Sequence, residues 1–574
     1  MTTMSYVAPL SEIEFLLRSI APLKEISKLE AYAHSDTETA LAVIEEGAKI
    51  ARDVIAPLNT EADTIGARLI DGAVITPPGF KDTYKKLAAD GWTSLAVPVD
   101  YDGQALPQLV NTIIAEMFAG ASVAFQMALL TGSPAAKVIA AHGDETQKAQ
   151  WLPKIASGEA AATIVITEPQ AGSDVGLIRT KAQALEDGTY ALSGSKIFIS
   201  QGDHDLTHQI IHVVLARTAN GAAGSRGLSL FLVPKLKSDG SANGVRAMRL
   251  EHKMGLSGSP TCEMSFDQAQ GTIVGREGEG LRNLFAMMNA MRLDVAAQGV
   301  GVASAALRKA LVYVQERKQG NIGKDGPVSI IQHPDVRRLL IQMRCWTDGL
   351  RALLYTAAWW EDQALAAANM DQRKKAAALV GFLLPLLKAG GSEAAFNVSS
   401  QALQLHGGHG YVRDHGVEQL LRDSRVFAIY EGANTIQAND LVMRKLGGDK
   451  GATYQGFCDM VQAEMTASQQ GFSDITTALN TALQALQRAS TYLLEHIGSE
   501  DAFAAAPLYL QLCIDVAVGW MWLKMINAEP DDSRLLHARW FAEHVLPETT
   551  LLAERIEKGA WIIAQTKPEN FQAW

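Results

Sequence analysis

Residues 281–318 read LRNLFAMMNAMRLDVAAQGVGVASAALRKALVYVQERK. No proline interrupts them and apolar residues keep a helical spacing, so one long helix is expected. What precedes it follows a different pattern. From about 163 to 272, short β-rich runs (ATIVIT, YALSG, KIFIS, QIIHVVLA, LSLFLVP and CEMSFD) are separated by Gly, Asp and Asn, as in an antiparallel sheet domain. The first 160 residues read mostly as helices. In TALAVIEEGAKIARDVIAPL, apolar residues recur at 40, 43, 44, 51, 54 and 55, and Pro57 is expected to stop that helix. Beyond 318, helices continue to about 447, a glycine-rich break follows (LGGDKGATYQG, 446–456), and a last helical block closes the chain. The fold class is therefore α+β in four parts: an N-terminal helical domain (1–160), a central antiparallel β domain (161–275), a C-terminal helical bundle (276–450) and an appended helical domain (451–574).

At 574 residues the chain exceeds a single core. Hydrophobic residues make up 48% and charged residues 20%, the balance of a soluble globular protein. A net charge of −11 argues against a mainly electrostatic nucleic-acid binder, so no nucleic-acid partner is expected. The start, MTTMSYVAPLSEIEFLL, lacks the basic region and cleavage site of a secretory signal. No apolar run reaches the ~20 residues that span a bilayer, so no membrane span is expected. The nearest stretch, LYLQLCIDVAVGWMWLKMI, carries Gln511, Asp515 and Lys524 and reads as a buried helix. Cys262, Cys345, Cys458 and Cys513 lie far apart with no C-x-x-C pair, which fits a reduced, cytoplasmic protein without a zinc knuckle.

Four stretches carry candidate chemistry. ITEPQAGSDVG (166–176) is a strand end running into a turn of Pro169, Gly172 and Ser173, which offers hydroxyls and backbone N–H groups to a ligand or simply ends a strand. In GSKIFISQG (194–202), alternation puts Lys196, Phe198 and Ser200 on one face; the aromatic and hydroxyl suit a flat heterocycle as well as a core. QLHGGHGYVRDHGVEQLLRDSR (404–425) fits no dinucleotide fingerprint, and His406, His409 and His415 have no further ligand at a recognisable spacing, so no metal is expected. IYEGANTIQ (429–437) places Glu431 between an aromatic and a glycine among apolar neighbours, where ionisation is costly if the side chain is buried. Met287, Met288 and Met291 make either an adaptable wall or plain core.

In this order, TEPQAGSD, KIFIS, MNAMRLDVAAQGVG, QLHGGHGY, RDSR and IYEGANTIQ resemble the acyl-CoA dehydrogenase family, over about 80–447. The chain's start, EHKMGLSGSPTCEMSFD (251–267) and the C-terminal block resemble a longer branch that includes bacterial dehydrogenases of fatty acyl-CoAs and of methylthiopropionyl-CoA. The resemblance implies a helical domain, a central β domain, a four-helix bundle and an extra helical domain. It also implies FAD and α,β-desaturation of an acyl-CoA thioester to the trans-2-enoyl-CoA, with Glu431 taking the α-proton and the β-hydride passing to flavin N5. Burial would strengthen that base, and donors on the thioester carbonyl, from the base's own N–H and a ribityl hydroxyl in this family, would stabilise the enolate.

By the same resemblance Ile166, Thr167, Ser173, Phe198 and Ser200 contact the flavin, with Ala433 and Thr435 beside it. Arg317, Gln332, Gln404 and Gly408 reach the FAD of a neighbouring subunit. Ser173, Asn289, Arg292, Gly432 and Arg444 are substrate-side positions, Arg444 lying one place later than the common spacing. This chain departs from the family with Ala433, then Asn434, where Thr or Ser often follows the Glu-Gly pair. Phe198 stands for a common tryptophan and Ser200 for a common threonine. Electron-transfer flavoprotein is the implied acceptor and a homodimer the implied assembly. An oxygen-using acyl-CoA oxidase and a DNA-associated, non-enzymatic relative are the alternatives.

Overall fold

The runs in the middle of the chain fold into a seven-stranded sheet in the computed structural model, which describes residues 6–219, 221–468 and 470–572. The first five residues of the expected leader-free start lie outside that range. A short hairpin, β1 (Arg68–Ile70) and β2 (Ala73–Ile75), comes first. The sheet itself comprises β3 (Ala160–Val165), β4 (Lys181–Ala184), β5 (Tyr190–Ser200), β6 (Gln209–Thr218), β7 (Leu228–Pro234), β8 (Val245–Leu250) and β9 (Thr261–Val274). YALSG and KIFIS are one continuous strand, β5. Strands pair in the order β3-β6-β4-β5-β9-β7, with β7 also on β6 and β8 on β9, so five of them close a ring.

Most pairings are antiparallel, as expected, but β3 and β4 each run parallel to β6. A run's composition does not encode its neighbour's direction. It does encode burial: both faces of β6 and β7 are covered, which is why QIIHVVLA and LSLFLVP are apolar without alternation. Val214, Ala216, Phe231 and Val233 enter one core with Leu192, Met264 and Phe266. Their neighbours Val213, Leu215, Leu230 and Leu232 enter another with Trp151, Leu152 and Ile155 from the preceding helices.

The chain divides into two compact units: Met1–Ala8 with Glu38–Asp294, and Pro9–Thr37 with Val295–Trp574. The division falls inside the long helix, Gly280–Glu316, which forms as the sequence predicts. The four-part reading by element type did not anticipate that Pro9–Thr37 groups with the second unit. There the Arg534 guanidinium lies 3.5 Å from the Phe15 ring centroid and pairs with Glu12 at 3.4 Å, and Trp359 Nε1 donates to Pro22 O at 3.2 Å.

Pro57 does not stop its helix. Thr37–Ile50 passes into a π-helical turn, Ala51–Ile55, then a 3₁₀ turn with Pro57 in its first positions, then Asn59–Ile65. The wider π step moves aside the carbonyl that the proline ring would strike, and the missing N–H falls where a first turn has no partner.

In the second unit, the Gly280–Glu316 and Met370–His406 helices touch backbone to backbone. A Cβ on Gly299 would lie 2.3 Å from Gly391 O. The appended helices Ala452–Ala467, Ser473–Glu495, Glu500–Ala528, Asp532–His544 and Glu548–Glu557 follow. Glu500–Ala528 packs on the Pro334–Ala366 helix, with Trp522 Nε1 donating to Cys345 O at 3.1 Å.

The expectation that no segment is apolar enough to span a bilayer needs correcting. Among the described residues, four helices, Gln108–Leu129, Gly280–Glu316, Met370–His406 and Glu500–Ala528, qualify by length and hydropathy. Between 72% and 89% of their apolar windows is buried within the protein, so packing accounts for their composition. The sequence criterion missed them because isolated polar residues break each run.

Asp515 is one of those residues. It is buried, accepts a hydrogen bond from Gln511 Nε2 at 2.7 Å, and burial pushes its carboxyl up to about 8 from 3.8. A folded-state value above the unfolded one means stability that is full below about pH 4 and lost as pH rises towards 8. Asp515→Asn should therefore match the wild type in stability near pH 4 and exceed it at pH 8, by an amount approaching ~5 kcal/mol. Thermal melts across that range check this.

Candidate active site

In the first unit, the two motif stretches are stitched together. Ile197 N donates to Thr167 O at 3.0 Å, and Thr163 Oγ1 donates to Ser200 O at 2.6 Å. Thr167 and Ile166 thus lie beside Phe198 and Ser200. Glu168 anchors the turn that follows. Its carboxylate is buried and accepts from Arg179 N at 2.8 Å, Thr180 N at 3.0 Å and Gln170 Nε2 at 2.6 Å, and it pairs with the buried Lys196 Nζ at 3.0 Å. Lys196 also donates to Ile166 O and Leu215 O at 2.8 and 2.7 Å. Burial raises Glu168, but the Lys196 charge and the converging donors outweigh it and bring the carboxyl down to about 2. Burial brings Lys196 down to about 8 despite its partner. Both shifts leave an ion pair at neutral pH. Ser173 sits exposed in the loop beyond.

The alternation expected along KIFIS is broken. Lys196 pairs with Met264 and Ile199 with Cys262, so β5 carries one extra residue there, a β-bulge. Lys196 turns inward while Phe198, at φ +58°, is 59% exposed. Lys196 and Phe198 therefore do not share a face. A bulky residue in left-handed backbone costs of order 1–3 kcal/mol and marks a position held for another purpose.

Asn289 and Arg292 are three residues apart, neighbours on the Gly280–Glu316 helix, with Arg292 buried and Asn289 half-buried. Met287 and Met291 pack in the core that holds Trp151, with Met288 against it, which favours the plain-core reading.

In the second unit, Glu431 is half-buried at φ +52° and is followed by Gly432 at φ +87°, two left-handed residues in succession. The turn is held by its surroundings. The buried Gln437 side chain donates through Nε2 to Glu431 O at 3.4 Å and Gly432 O at 3.2 Å. Tyr430 Oη donates to Gln298 Oε1, and Tyr430 stacks on Phe427 at 5.9 Å. A Cβ at 432 would displace the Gln437 amide, 2.6 Å away, and the φ of +87° favours glycine whatever the space. Ala433, Asn434 and Thr435 line a cleft of about 310 Å³ together with Glu393, Phe396 and Arg425. The Arg425 guanidinium lies 5.7 Å from the Phe396 centroid.

Arg317 follows the end of the Gly280–Glu316 helix, and Ile330 N donates to Arg317 O at 2.8 Å, which brings Gln332 near it. Gln404 and Gly408 lie exposed where the Met370–His406 helix ends. Tyr313 links the two segments: it stacks on His406 at 4.3 Å and its hydroxyl meets His409 Nδ1 at 2.9 Å. His409 in turn stacks on His415 at 4.7 Å. Among the described residues, no group of three or more His, Cys, Asp or Glu is arranged to hold a metal. Arg444 is exposed and pairs with Asp440 at 2.7 Å inside a π-helical stretch, Asp440–Leu446.

A cleft of about 640 Å³ lies elsewhere in the first unit, lined by Glu46, Lys86 and Trp92 among others, and none of the expected residues lines it. Sequence reasoning missed Glu168, Lys388, Glu393, Phe396, Arg425 and Gln437. Lys388 had a signal: a lone cation in GFLLPLLKAGG, which a buried helix tolerates only with partners.

Family models match in sequence along the chain: acyl-CoA dehydrogenase N-terminal domain at 37–159, middle domain at 163–269, C-terminal domain at 278–446, and an acetyl-CoA dehydrogenase C-terminal-like domain at 455–566. The 3-methylmercaptopropionyl-CoA dehydrogenase of Ruegeria pomeroyi is 38% identical, over 96% of this chain and 98% of its own. The broad-specificity linear acyl-CoA dehydrogenase FadE5 of Mycobacterium tuberculosis is 32% identical, over 92% and 93%. Caenorhabditis elegans ACDH-11, solved with C11-CoA, shares the fold at a TM-score of 0.80 and 21% identity, over 99% of this chain and 97% of its own.

Proposed function

The chain belongs to the acyl-CoA dehydrogenase family, and from that premise we propose that it desaturates an acyl-CoA thioester between its α and β carbons, with Glu431 as the base. The observation that carries this reading is the Glu431 turn. Two successive left-handed residues are held by Gln437 and Tyr430 beside a cleft, and a turn under such strain fixes where a carboxylate stands. Glu431 removes the α-proton; Gly432, with no side chain, leaves the thioester room to approach. Asn289 and Arg292 are read as CoA-side residues, with Ser173 and Arg444 further out.

FAD, the family's cofactor, supplies the acceptor for the β-hydride when bound. Residues of this chain suit it. Phe198 offers an exposed ring at a bulge and Ser200 a neighbouring hydroxyl, with Ile166, Thr167 and Ser173 on the adjoining turn. Ala433 and Thr435 line the same cleft as Arg425, a cation suited to phosphate oxygens. Arg317, Gln332, Gln404 and Gly408 form a surface group that would meet the cofactor of a second copy.

For the acyl group, the 38% relative favours a short thioether chain, 3-methylmercaptopropionyl, and the 32% relative makes a linear fatty acyl chain the second reading. Steady-state kcat/KM over 3-methylmercaptopropionyl-, butyryl-, octanoyl- and palmitoyl-CoA separates them. A maximum at the first supports the former, and a maximum at octanoyl or beyond the latter. Electrons would pass to an electron-transfer flavoprotein, in the cytoplasm. Reoxidation by oxygen faster than by that acceptor would mark an oxidase. The assembly is read as a homodimer, with the appended helices covering the face that smaller relatives use to pair dimers. Light scattering should give about twice the chain's 61.7 kDa, and a tetramer mass would refute it.

A further inference from the structure

We infer that Asn434 is a positioning residue for the base, itself clamped between the buried Lys388 and Glu393; the inference rests on the reading of Glu431 above. Asn434 is the first residue of the Asn434–Asn439 helix, three places after Glu431, and Ala433 before it provides no side-chain cap. Its amide is gripped at both ends by the neighbouring Met370–His406 helix. Lys388 Nζ donates to Oδ1 at 3.1 Å, and Nδ2 donates to Glu393 Oε1 at 2.8 Å. Lys388 is fully buried and Glu393 lies one and a half turns further along the same helix. Ser392, between them, donates to Phe427 O at 3.0 Å, four residues ahead of the base.

The catalytic turn is thus tied to one helix on both sides of Glu431. Of these ties, Asn434 is the one that follows the two left-handed residues. Only an amide does this task at this position. A hydroxyl is too short to reach both partners, and a carboxylate has no hydrogen for Glu393. The geometry assigns Asn434 the work of fixing where the turn ends, and hence where the Glu431 carboxylate points. Misplacing a reacting group by about 1 Å costs up to ~10²-fold in rate, so loss of this clamp acts on the chemistry.

The test uses FAD-loaded full-length protein and two readouts. One is the rate of anaerobic flavin reduction at saturating acyl-CoA. The other is exchange of the α-proton with D₂O in a 3-thia-acyl-CoA, which has no β-hydrogen to lose and so reports on the base alone. Asn434→Ala and Glu393→Ala are each expected to slow both processes about 10- to 100-fold, with FAD content, Tm and the Kd of the 3-thia compound unchanged. The double variant should be no slower than either single one, because both remove one clamp. Glu393→Gln, which keeps the acceptor, should restore at least half of the lost rate. Less than twofold slowing, multiplicative single effects, or slowing only alongside loss of FAD or Tm would overturn the inference while leaving Glu431 as the base. A wild type that neither reduces its flavin nor exchanges the α-proton would overturn both.

Discussion

Glu431→Gln is expected to bind acyl-CoA with near-normal affinity and to reduce its flavin about 10²–10⁴-fold more slowly, the range a positioned general base contributes. The substitution keeps shape and removes only the charge that accepts the proton. The turn is also held through the carbonyls of Glu431 and Gly432, which the substitution leaves in place. Glutamine meets the same cost at φ +52° as glutamate, so Tm should hardly move. Stopped-flow reduction together with equilibrium binding of a 3-thia-acyl-CoA separates the two properties. A large rise in Kd with an unchanged rate would assign Glu431 to binding.

The second large effect is on stability. Lys196→Met should cost about 3–5 kcal/mol, because it leaves the Glu168 carboxylate buried without its cation. It also strips a donor from Ile166 O and Leu215 O, loosening the strand end that is read as touching the flavin. Lower FAD occupancy should accompany the lower Tm. Adding Glu168→Leu ought to recover part of the loss, since a buried pair removed whole costs less than one broken. The pH dependence follows from Glu168. Its folded-state value, about 2, lies below its ordinary 4.5, so its contribution is present above about pH 4.5 and disappears as pH falls towards 2. The wild type should therefore lose Tm over that window, and a Glu168→Gln variant should lose less of it.

Much of the fold was legible because burial writes itself into composition. The long helix lacked proline, the strands buried on both faces were apolar throughout, and the expected glycine-rich break at 446–456 shortens to 447–451, since the first appended helix begins at Ala452. Strand direction was not legible, since β3 and β4 lie parallel to β6 through crossovers that leave no local mark. Pro57 misled because a π turn ahead of it changes what a proline does. At the candidate site, Phe198 was singled out for its chemistry, but strict alternation could not foresee the bulge that turns it outward. Glu168 stood in the quoted motif, yet its partner Lys196 was read only as a face-mate of Phe198. Asn434 was seen as a departure from the family, and its two partners, 41 and 46 residues away, are a tertiary fact.

The central claim is that this chain oxidises acyl-CoA thioesters at the Glu431 turn. Anaerobic mixing of the FAD-loaded protein with 3-methylmercaptopropionyl-, propionyl-, octanoyl- and palmitoyl-CoA, read at the visible flavin band, tests it most directly. The account predicts stoichiometric bleaching by at least one of them, with the matching enoyl-CoA recovered and no bleaching in Glu431→Gln over the same time. A band that stays unchanged with every thioester, in protein that holds FAD and binds CoA esters, would contradict it.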